Sequence, residues 1–311
     1  MDDDPSTPAI EAIDLTKRYG HQVAIDRVSF SIPAGSVSGL VGPNGAGKTT
    51  VMAALLGLVR PTAGTARVLG ADISQPDSYM RRVGALIEYP AFHPRLSGRE
   101  NLRKLALLGG HDRPGLDRIL GQVGLTTRAD DRFNTYSMGM KQRLGIAGAL
   151  IGDPEIVVLD EPTNGVDPQG MKDIRAIIKG ISAEGRTVLV SSHLLAELEA
   201  VCDHVVVLDS GGCAFAGRLS DLGRNQVTSI AARFDPTGVD LVRALADAGI
   251  EAEPVPGGVD VRIGSGDGRQ LAGTVIAVAH AAGVVLTELV QHNPSLEDQV
   301  LELVTTGEDH R

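Results

Sequence analysis

The sequence predicts an α/β fold over the larger, N-terminal part of the chain and a small α+β domain after it. Three short runs are predominantly apolar and alternate with helical stretches, namely Val37–Val41, Ile156–Asp160 and Thr187–Ser191. Strands of this kind, separated by helices, are typical of a parallel sheet that is covered on both faces. The segments Val205–Asp209 and Cys213–Ala216 flank a glycine-containing turn and predict a hairpin.

Beyond that hairpin the pattern changes and predicts a separate domain. Its segments follow the order β-α-β-β-α-β, which is the split βαβ or ferredoxin-like plan. The boundary is placed within 218–227, so we expect a disordered acidic tail over 1–8, a large domain over 9–220 and a small domain over 228–311. The six predicted segments are Ile230–Phe234, Val239–Ala248, Glu251–Val255, Val259–Ile263, Leu271–Ala282 and Val284–Val290.

Net charge restricts the class of partner. The chain has 311 residues, with 29 Lys and Arg against 39 Asp and Glu, which gives a formal net charge of −10. Phosphate contacts need clustered basic side chains, so we expect no nucleic-acid partner.

No apolar run reaches the roughly 18–20 residues that cross a bilayer. The acidic N-terminus lacks the apolar core of a signal peptide. The two cysteines, Cys202 and Cys213, are not spaced as a CxxC pair, and because no export signal is evident we expect no structural disulfide. The sequence therefore predicts a soluble cytosolic protein that needs a partner to work at a membrane.

A glycine-rich loop follows the first predicted strand. It reads Gly42-Pro43-Asn44-Gly45-Ala46-Gly47-Lys48-Thr49 and matches G-x-x-x-x-G-K-[ST]. The glycines allow backbone N–H groups to surround phosphates, and the helix expected over Lys48–Leu58 adds the positive end of its dipole. Lys48 is expected at the β- and γ-phosphates, and the Thr49 hydroxyl at Mg²⁺. The predicted nucleotide contacts in this segment are Gly42, Asn44, Gly45, Gly47, Lys48, Thr49 and Thr50.

Two carboxylates stand at the end of a later apolar strand. Asp160 is suited to hold Mg²⁺ opposite Thr49, because carboxylate oxygens are hard ligands. The adjacent Glu161 points elsewhere and is suited to polarise a water as the general base. Taken alone, such a pair is as often simply solvated; the phosphate-binding loop upstream favours the catalytic interpretation.

The sequence resembles the nucleotide-binding subunits of ABC transporters over about residues 9–217, because several segments occur in that family's order and spacing. Tyr136-Ser137-Met138-Gly139-Met140-Lys141-Gln142-Arg143 resembles the family signature, Leu-Ser-Gly-Gly-Gln, and the start of its helix. Asn164-Gly165-Val166-Asp167 resembles the D-loop, which crosses the family's dimer interface. His193 matches the switch histidine at the γ-phosphate. Tyr19 matches an aromatic ring that stacks on adenine.

The resemblance implies an ABC-type ATPase domain with a mixed sheet and a helical subdomain that carries the signature. It identifies Asp160 with the magnesium-site acid and Glu161 with the catalytic glutamate. It also implies that Ser137 and Gly139 contact ATP held by a second copy of the chain, so that two chains enclose two ATP–Mg²⁺.

The physical basis of the signature is a helix N-terminus that Ser137 caps and that Gly139 leaves open to a phosphate. Tyr136, Met138 and Met140 depart from the signature, whereas the two contacting residues are kept.

One position departs from the family in a way that bears on the metal. After the strand expected near Val83–Ile87 the family has a glutamine that binds Mg²⁺ and water, and this chain has Glu88. A carboxylate is also a Mg²⁺ ligand, so Glu88 is included in the predicted metal site, although its charge next to a triphosphate puts the rate of hydrolysis in question. The surrounding Gly84–Phe92 and the following Leu96–Leu102 resemble the bacitracin-resistance branch, where this stretch faces the coupling helix of the membrane subunit.

The C-terminal domain resembles domains appended to drug-export ATPases. It carries no ligand motif, and two interpretations have equal weight: regulation or dimer support on the one hand, and passive cover of an edge on the other. A last helix is expected to begin near Ser295, which with Asp298 fits a capping box. Its apolar side chains, Leu296, Val300 and Leu303, are expected to pack inward.

Together these features predict the ATPase subunit of an exporter, with ATP and Mg²⁺ as ligands and with an integral membrane permease and a second copy of the chain as partners. The expected location is the cytoplasmic face of the membrane, and the expected cargo is an antibiotic, drug or lipid-like compound. The alternative is a non-transport ATPase of the same superfamily, in DNA repair or on ribosomes. The absence of a long coiled coil, the single ATPase cassette and the negative charge argue against it. A GTPase or small-molecule kinase is a further alternative, but no Asn-Lys-x-Asp guanine motif is present.

Overall fold

The structure, a computed structural model, describes residues 8–88, 91–111, 115–222, 228–234, 240–263 and 268–292. The chain divides into two compact units, the first ending at Ser220 and the second beginning at Asp221. The sequence places the boundary between its two predicted domains within 218–227. Residues 1–7 of the expected tail, Tyr89, Pro90 and the helix expected from Ser295 lie outside the described residues.

The first unit alternates strands and helices. Its strands are β1 (Pro8–Tyr19), β2 (Gln22–Pro33), β3 (Val37–Val41), β4 (Ala63–Val68), β5 (Ala71–Asp72), β6 (Val83–Leu86), β7 (Ile156–Leu159), β8 (Thr187–Ser192), β9 (His204–Asp209) and β10 (Gly212–Arg218). Its helices are α1 (Lys48–Leu55), α2 (Gly98–Leu108), α3 (Leu116–Gln122), α4 (Met138–Ala149), α5 (Pro168–Ala183) and α6 (Leu195–Glu199).

A six-stranded sheet has the order β10-β9-β3-β8-β7-β6. The pairs from β9 to β6 are parallel, and β10 closes one edge as the antiparallel partner of β9. Every residue of β3, β7 and β8 is buried, which is expected of strands covered on both faces. The mixed sheet and the hairpin predicted from the sequence are thus confirmed, and the carboxyl ends of β3, β8 and β7 lie side by side.

A second sheet, with the order β2-β1-β4-β5, is antiparallel and was not predicted. Its long strands are bulged: the β1–β2 register shifts four times, and Asp14 and Arg27 both have φ of 49°. A strand is predicted from sequence by the alternation of apolar and polar residues. Bulges interrupt that alternation, so these strands are difficult to predict. The main core of the unit lies against this sheet and includes Leu15, Ile25, Leu40, Val51 and Met52.

Helix α1 ends three residues earlier than expected. The sequence predicts a helix over Lys48–Leu58, but the last helical residue is Leu55, and Gly57 follows with φ of 67°. A glycine in the left-handed region just past a helix is a common stop, which explains the earlier end. Helices α2, α3 and α4 lie between β6 and β7 in the chain and form the helical part of the unit, with α4 beginning in the signature-like segment.

The second unit contains β11 (Thr228–Phe234), α7 (Leu241–Asp247), β12 (Ala252–Val255), β13 (Gly258–Ile263), α8 (Gly268–Ala281) and β14 (Leu286–His292). Its strands form an antiparallel sheet of order β12-β13-β11-β14, and along the chain its elements follow one another as β-α-β-β-α-β. Its own core includes Ile230, Leu245, Val261 and Val275. The start of α7 differs from the prediction: Asp240 caps the helix, accepting from Arg243 N at 3.1 Å, so helical residues begin at Leu241.

No helix in the part of the chain that the structure describes has both the length and the apolarity needed to span a membrane.

Candidate active site

The phosphate-binding loop joins the end of β3 to the start of α1. Gly47 has φ of 101°, and a Cβ there would lie 2.5 Å from Ile25 Cγ2 and 2.7 Å from the Ala24 carbonyl oxygen. Gly45 has φ of 86° with open space beside it. No side chain caps the N-terminus of α1, so its first N–H groups are available to an anion. The loop therefore requires glycine where the chain packs closely and presents backbone donors where it is open.

Lys48 is held inside this loop. Its side chain is 7% exposed, and Nζ donates to the carbonyl oxygens of Gly42 at 2.7 Å and Pro43 at 3.3 Å. The same Nζ lies 3.3 Å from Oε1 of Glu161. A buried ammonium is costly unless it is hydrogen-bonded and paired, and these three contacts meet that requirement.

Asp160 follows β7 and reaches the phosphate-binding loop. Its Oδ2 accepts from Thr49 Oγ1 at 2.9 Å, and its Oδ1 accepts from Ser191 Oγ at 2.6 Å. The backbone N of Asp160 donates to Leu86 O of the neighbouring strand at 2.8 Å. The side chains of Thr49 and Asp160, which the sequence places opposite each other at a metal, thus lie in direct contact.

Glu161 is the next residue and its side chain turns toward the loop and the end of β8. Its Oε2 lies 2.8 Å from His193 Nδ1, while Oε1 faces Lys48. Glu161 has φ of 46°, a left-handed conformation that is uncommon for a residue with a side chain, and its N donates to Ser191 Oγ at 2.8 Å. The acid is therefore placed between a cation and an imidazole by a strained turn of the backbone.

Lys48, Thr49, Glu161 and His193 border one cavity of about 550 Å³, which is the size range of small-molecule sites. Tyr19 lies at its border, half exposed, with Lys17 Nζ 4.9 Å from the ring centroid. The lining consists of Tyr19, Gln22, Val23, Ala24, Asn44, Gly45, Gly47, Lys48, Thr49, Thr50, Glu161, Asn164 and His193. Gln22, Val23 and Ala24 were not expected, because they belong to the unpredicted β2 and match no motif.

Five of the predicted site residues are not part of this lining: Gly42, Glu88, Ser137, Gly139 and Asp160. Gly42 and Asp160 contact lining residues directly, because Lys48 Nζ donates to Gly42 O and Thr49 Oγ1 to Asp160 Oδ2. Ser137 caps α4, with its Oγ accepting from Met140 N at 3.3 Å. Gly139 lies against the Asn164–Asp167 loop, where a Cβ would be 3.3 Å from Val166 Cγ1. Glu88 is exposed, two residues beyond β6, with φ of 59°. A single chain therefore gathers the phosphate loop, the two acids and His193, and keeps the signature-like segment apart from them.

Comparison with known proteins identifies the family. The family model described as ABC transporter matches residues 25–164. The bacitracin transport ATP-binding protein BcrA of Bacillus licheniformis is 42% identical over 205 residues, which cover 65% of this chain and 67% of that protein. The chain belongs to the ABC transporter family. It is an ATP-binding subunit, and subunits of this family hydrolyse ATP.

Two further relatives support this assignment. The daunorubicin/doxorubicin resistance ATP-binding protein DrrA of Streptomyces peucetius is 37% identical over 221 residues, which cover 70% of this chain and 67% of that protein. A solved structure of an ATP-binding subunit of an ABC transporter is 30% identical, with a TM-score of 0.62, and covers 70% of this chain and 92% of the other. ABC ATP-binding subunits dimerise and work with membrane permease components.

The departures from the ABC signature are accommodated in the structure. Tyr136 is 4% exposed, and its hydroxyl donates to Arg128 O at 2.6 Å, so the ring points inward. A Cβ at Gly98, the first residue of α2, would lie 2.3 Å from the Tyr136 hydroxyl oxygen. The absence of a side chain at Gly98 thus makes room for a ring larger than the family's leucine, while Ser137 keeps its capping position.

Besides the unexpected residues of β2, two further polar residues next to the candidate site were not predicted from the sequence. Ser191 contacts both acids, as described above, and Glu197 of α6 accepts from Thr163 Oγ1 at 2.5 Å and from Ser192 Oγ at 3.2 Å. Glu197 thereby links the residue before the Asn164–Asp167 loop to the residue before His193. The available signal was a pair of serines, Ser191 and Ser192, at the end of a strand that is otherwise apolar.

The oxygens at the loop are compatible with Mg²⁺. Among the described residues no group of three or more His, Cys, Asp or Glu side chains forms a closed metal cage. Mg²⁺ does not need one beside a triphosphate, because it retains waters and is usually bound through one or two carboxylates and the phosphates. The contact between Thr49 Oγ1 and Asp160 Oδ2 supplies that donor set.

Proposed function

We propose that this subunit binds ATP–Mg²⁺ and hydrolyses it to power export of an antibiotic, drug or lipid-like compound through a membrane permease. The observation that carries the hydrolytic part is the convergence of Lys48, Thr49, Asp160, Glu161 and His193 at one end of one sheet. The cargo class is supported by relatives named for bacitracin transport and for daunorubicin and doxorubicin resistance.

Each part of the cavity has a proposed role in holding the nucleotide. The Tyr19 ring stacks on adenine, and the backbone of the loop from Gly42 to Gly47, with Asn44 and Thr50, surrounds the phosphates. Lys48 contacts the β- and γ-phosphates. Thr49 and Asp160 would hold Mg²⁺, which when bound neutralises negative charge on the phosphate oxygens. Glu88 is the proposed further carboxylate of this set.

Glu161 is the proposed general base. It takes a proton from water as the water oxygen bonds to the γ-phosphorus, and the bond to the β–γ bridging oxygen breaks to leave ADP and phosphate. His193 Nδ1 holds the same carboxylate at 2.8 Å, which restricts its rotation, and His193 also borders the cavity where a γ-phosphate would lie.

The site is proposed to be completed by a second copy of the chain. Ser137 and Gly139 lie apart from the cavity of their own chain, and the N-terminus of α4 is suited to an anion. We therefore propose that ATP closes two copies face to face, each giving its signature-like segment to the other's ATP, and that hydrolysis lets them open. The unit that begins at Asp221 is the proposed accessory domain.

The permease is proposed to dock in a second cavity of about 340 Å³ beside α2. Leu105 and Leu108, which border it, are 40% and 77% exposed, and the partly exposed Ile87 and Phe92 add apolar surface. An exposed apolar groove is suited to a partner helix. This contact would hold the subunit at the cytoplasmic face of the membrane.

The proposal is tested by isolating the protein from native membranes in mild detergent and identifying what accompanies it. We expect a stoichiometric polytopic membrane protein. The Leu108→Asp variant should lose that protein. Leu107→Asp is the matched control, because Leu107 is 67% exposed on the same helix but is not part of the lining described for the groove, and it should retain it. Recovery of ribosomes, DNA or soluble proteins alone would contradict the exporter proposal and leave the ATPase assignment in place.

A further inference from the structure

One buried hydroxyl connects the two acids of the site. Ser191, the second-last residue of β8, is 0% exposed. Its Oγ donates to Asp160 Oδ1 at 2.6 Å and accepts from the backbone N of Glu161 at 2.8 Å. A serine hydroxyl can donate one hydrogen bond and accept two. The same hydroxyl therefore supplies a donor to the Asp160 carboxylate and an acceptor to the backbone N–H of Glu161.

The first consequence concerns the direction of the Asp160 carboxylate. Its two oxygens each accept from a hydroxyl, Thr49 Oγ1 on one side and Ser191 Oγ on the other. Thr49 lies in the first turn of α1, and Ser191 lies near the end of β8. A carboxylate held on both oxygens, from a helix and from a strand, cannot rotate without breaking a hydrogen bond in a buried place, which is unfavourable.

The second consequence concerns the backbone of Glu161. Its φ of 46° is a conformation that side-chain-bearing residues keep only where the surroundings impose it. The hydrogen bond from Glu161 N to Ser191 Oγ is one such restraint. It fixes the direction in which the side chain leaves the strand end, toward Lys48 and His193.

Ser191 does not border the nucleotide cavity in the described structure, so it acts through other residues. Ser191 and Ser192 follow Thr187–Val190 in a wholly buried strand, where an apolar or β-branched side chain would be preferred on packing grounds. A polar residue that breaks a local rule in a fully buried position indicates a functional requirement.

We propose that Ser191 is a positioning residue, which sets the carboxylate of Asp160 and the backbone of Glu161 in the geometry needed for hydrolysis. The proposal rests on the role given above to Glu161 as general base and to Asp160 at the metal.

The test compares variants of the full chain in one ATPase assay. Ser191→Ala removes the hydroxyl, while Ser191→Thr and Ser191→Val form a pair of nearly equal size that differ in having it. Losing a group that orients a metal ligand typically costs 10- to 100-fold, so we expect kcat and the affinity for Mg²⁺ to fall by about that factor in the Ala and Val variants. The KM for ATP should stay within about threefold, since Ser191 lies outside the cavity lining, and Thr should restore most of kcat.

The matched control is Ser38→Ala. Ser38 is also a fully buried serine of the same sheet, but its Oγ contacts Ser36 Oγ at 3.2 Å and no residue of the site. It should leave kcat, KM and the Mg²⁺ dependence unchanged. Thermal unfolding of every variant shows whether the added methyl of Thr and Val is accommodated; if it is not, the Ala variant alone decides.

A crystal structure of Ser191→Ala is the readout that does not depend on activity. We expect the Asp160 carboxylate to rotate or Glu161 to leave the left-handed region. If neither Asp160 nor Glu161 changes position, the proposal is overturned. It is also overturned if Ser191→Ala turns over ATP within about twofold of the wild type, or if Ser191→Thr loses as much kcat as Ser191→Val.

The Glu161→Gln variant, measured alongside, separates the two claims. If it turns over ATP normally, the base assignment fails, and Ser191 is still judged by the crystal structure and the Mg²⁺ dependence. If it is inactive and Ser191→Ala is fully active, the positioning role alone fails.

Discussion

The two units of this chain use sheets in different ways. In the first unit β3, β8 and β7 are parallel neighbours, so their carboxyl ends meet at one edge and bring together Thr49, Asp160 and Ser191 from distant parts of the sequence. In the second unit all described strand pairs are antiparallel, and neighbouring strands end at opposite edges. The first arrangement concentrates polar groups at one edge, which is where open parallel sheets bind ligands.

Polar residues of the second unit form a different pattern. Arg233 of β11 and Asp260 of β13 make an ion pair of 3.4 Å on the sheet, with side chains 35% and 41% exposed. This pair is partly exposed, borders no cavity described for the chain, and neither residue has a positive φ. The comparison teaches that burial and convergence, rather than the number of charged side chains, distinguish the part of the molecule that does chemistry.

The largest expected effect comes from Glu161→Gln, which tests whether the edge of the parallel sheet in the first unit carries out the hydrolysis. Loss of a general base typically costs 10²- to 10⁴-fold, so kcat should fall by about that factor. ATP should still bind, because Lys48 keeps its contacts with the Gly42 and Pro43 carbonyls. Steady-state hydrolysis and equilibrium binding of a fluorescent ATP analogue measure the two quantities separately.

Glu155→Gln is the control for that measurement. Glu155 immediately precedes β7, at the end opposite Glu161, and pairs with Arg82 at the surface. It should hydrolyse ATP at the wild-type rate. If Glu161→Gln turned over ATP at the wild-type rate, Glu161 would not be the general base. The claim that this edge of the sheet performs the chemistry would then fail as well.

A smaller effect is expected at the border of the cavity, from Tyr19→Ala. The ring is half exposed, so its stacking on adenine should contribute near the low end of the range for base–aromatic contacts, and the KM for ATP should rise about five- to tenfold. The value of kcat should change little, because Tyr19 contacts none of the reacting groups. Tyr19→Phe keeps the ring and should match the wild type; an unchanged KM in the Ala variant would show that adenine binds elsewhere.

Sequence alone was sufficient for the parts of the site that depend on local backbone geometry. The loop from Gly42 to Thr49 combines a strand, a glycine turn and a helix start within a few residues, so its composition specifies its shape. The Ile156–Asp160 strand was predictable because uniform burial leaves an uninterrupted apolar run, and the hairpin of β9 and β10 because a glycine-containing turn separates two largely apolar segments.

The features that the sequence did not predict depend on contacts between segments that are distant in sequence. The bulged β1 and β2 hid the second sheet and with it Gln22 and Val23 of the cavity lining. The hydrogen bonds of Ser191 become visible only when β8 is placed beside β7. Likewise, Tyr136 departs from the signature motif, but only the close approach of Gly98 shows why the departure is tolerated.

The smallest effect is expected from Arg233→Ala, which tests whether the ion pair on the sheet of the second unit has no part in hydrolysis. Exposed ion pairs contribute about 0.2–1 kcal/mol, so the unfolding midpoint should fall by no more than about 8 °C, and ATP turnover should stay within about twofold of the wild type. Calorimetry of Arg233→Ala, Asp260→Ala and the double variant isolates the pair energy, and the same preparations are assayed for hydrolysis. A tenfold loss of turnover with an intact fold would mean that this ion pair takes part in the ATPase cycle, and the separation of chemistry from the second unit would no longer hold.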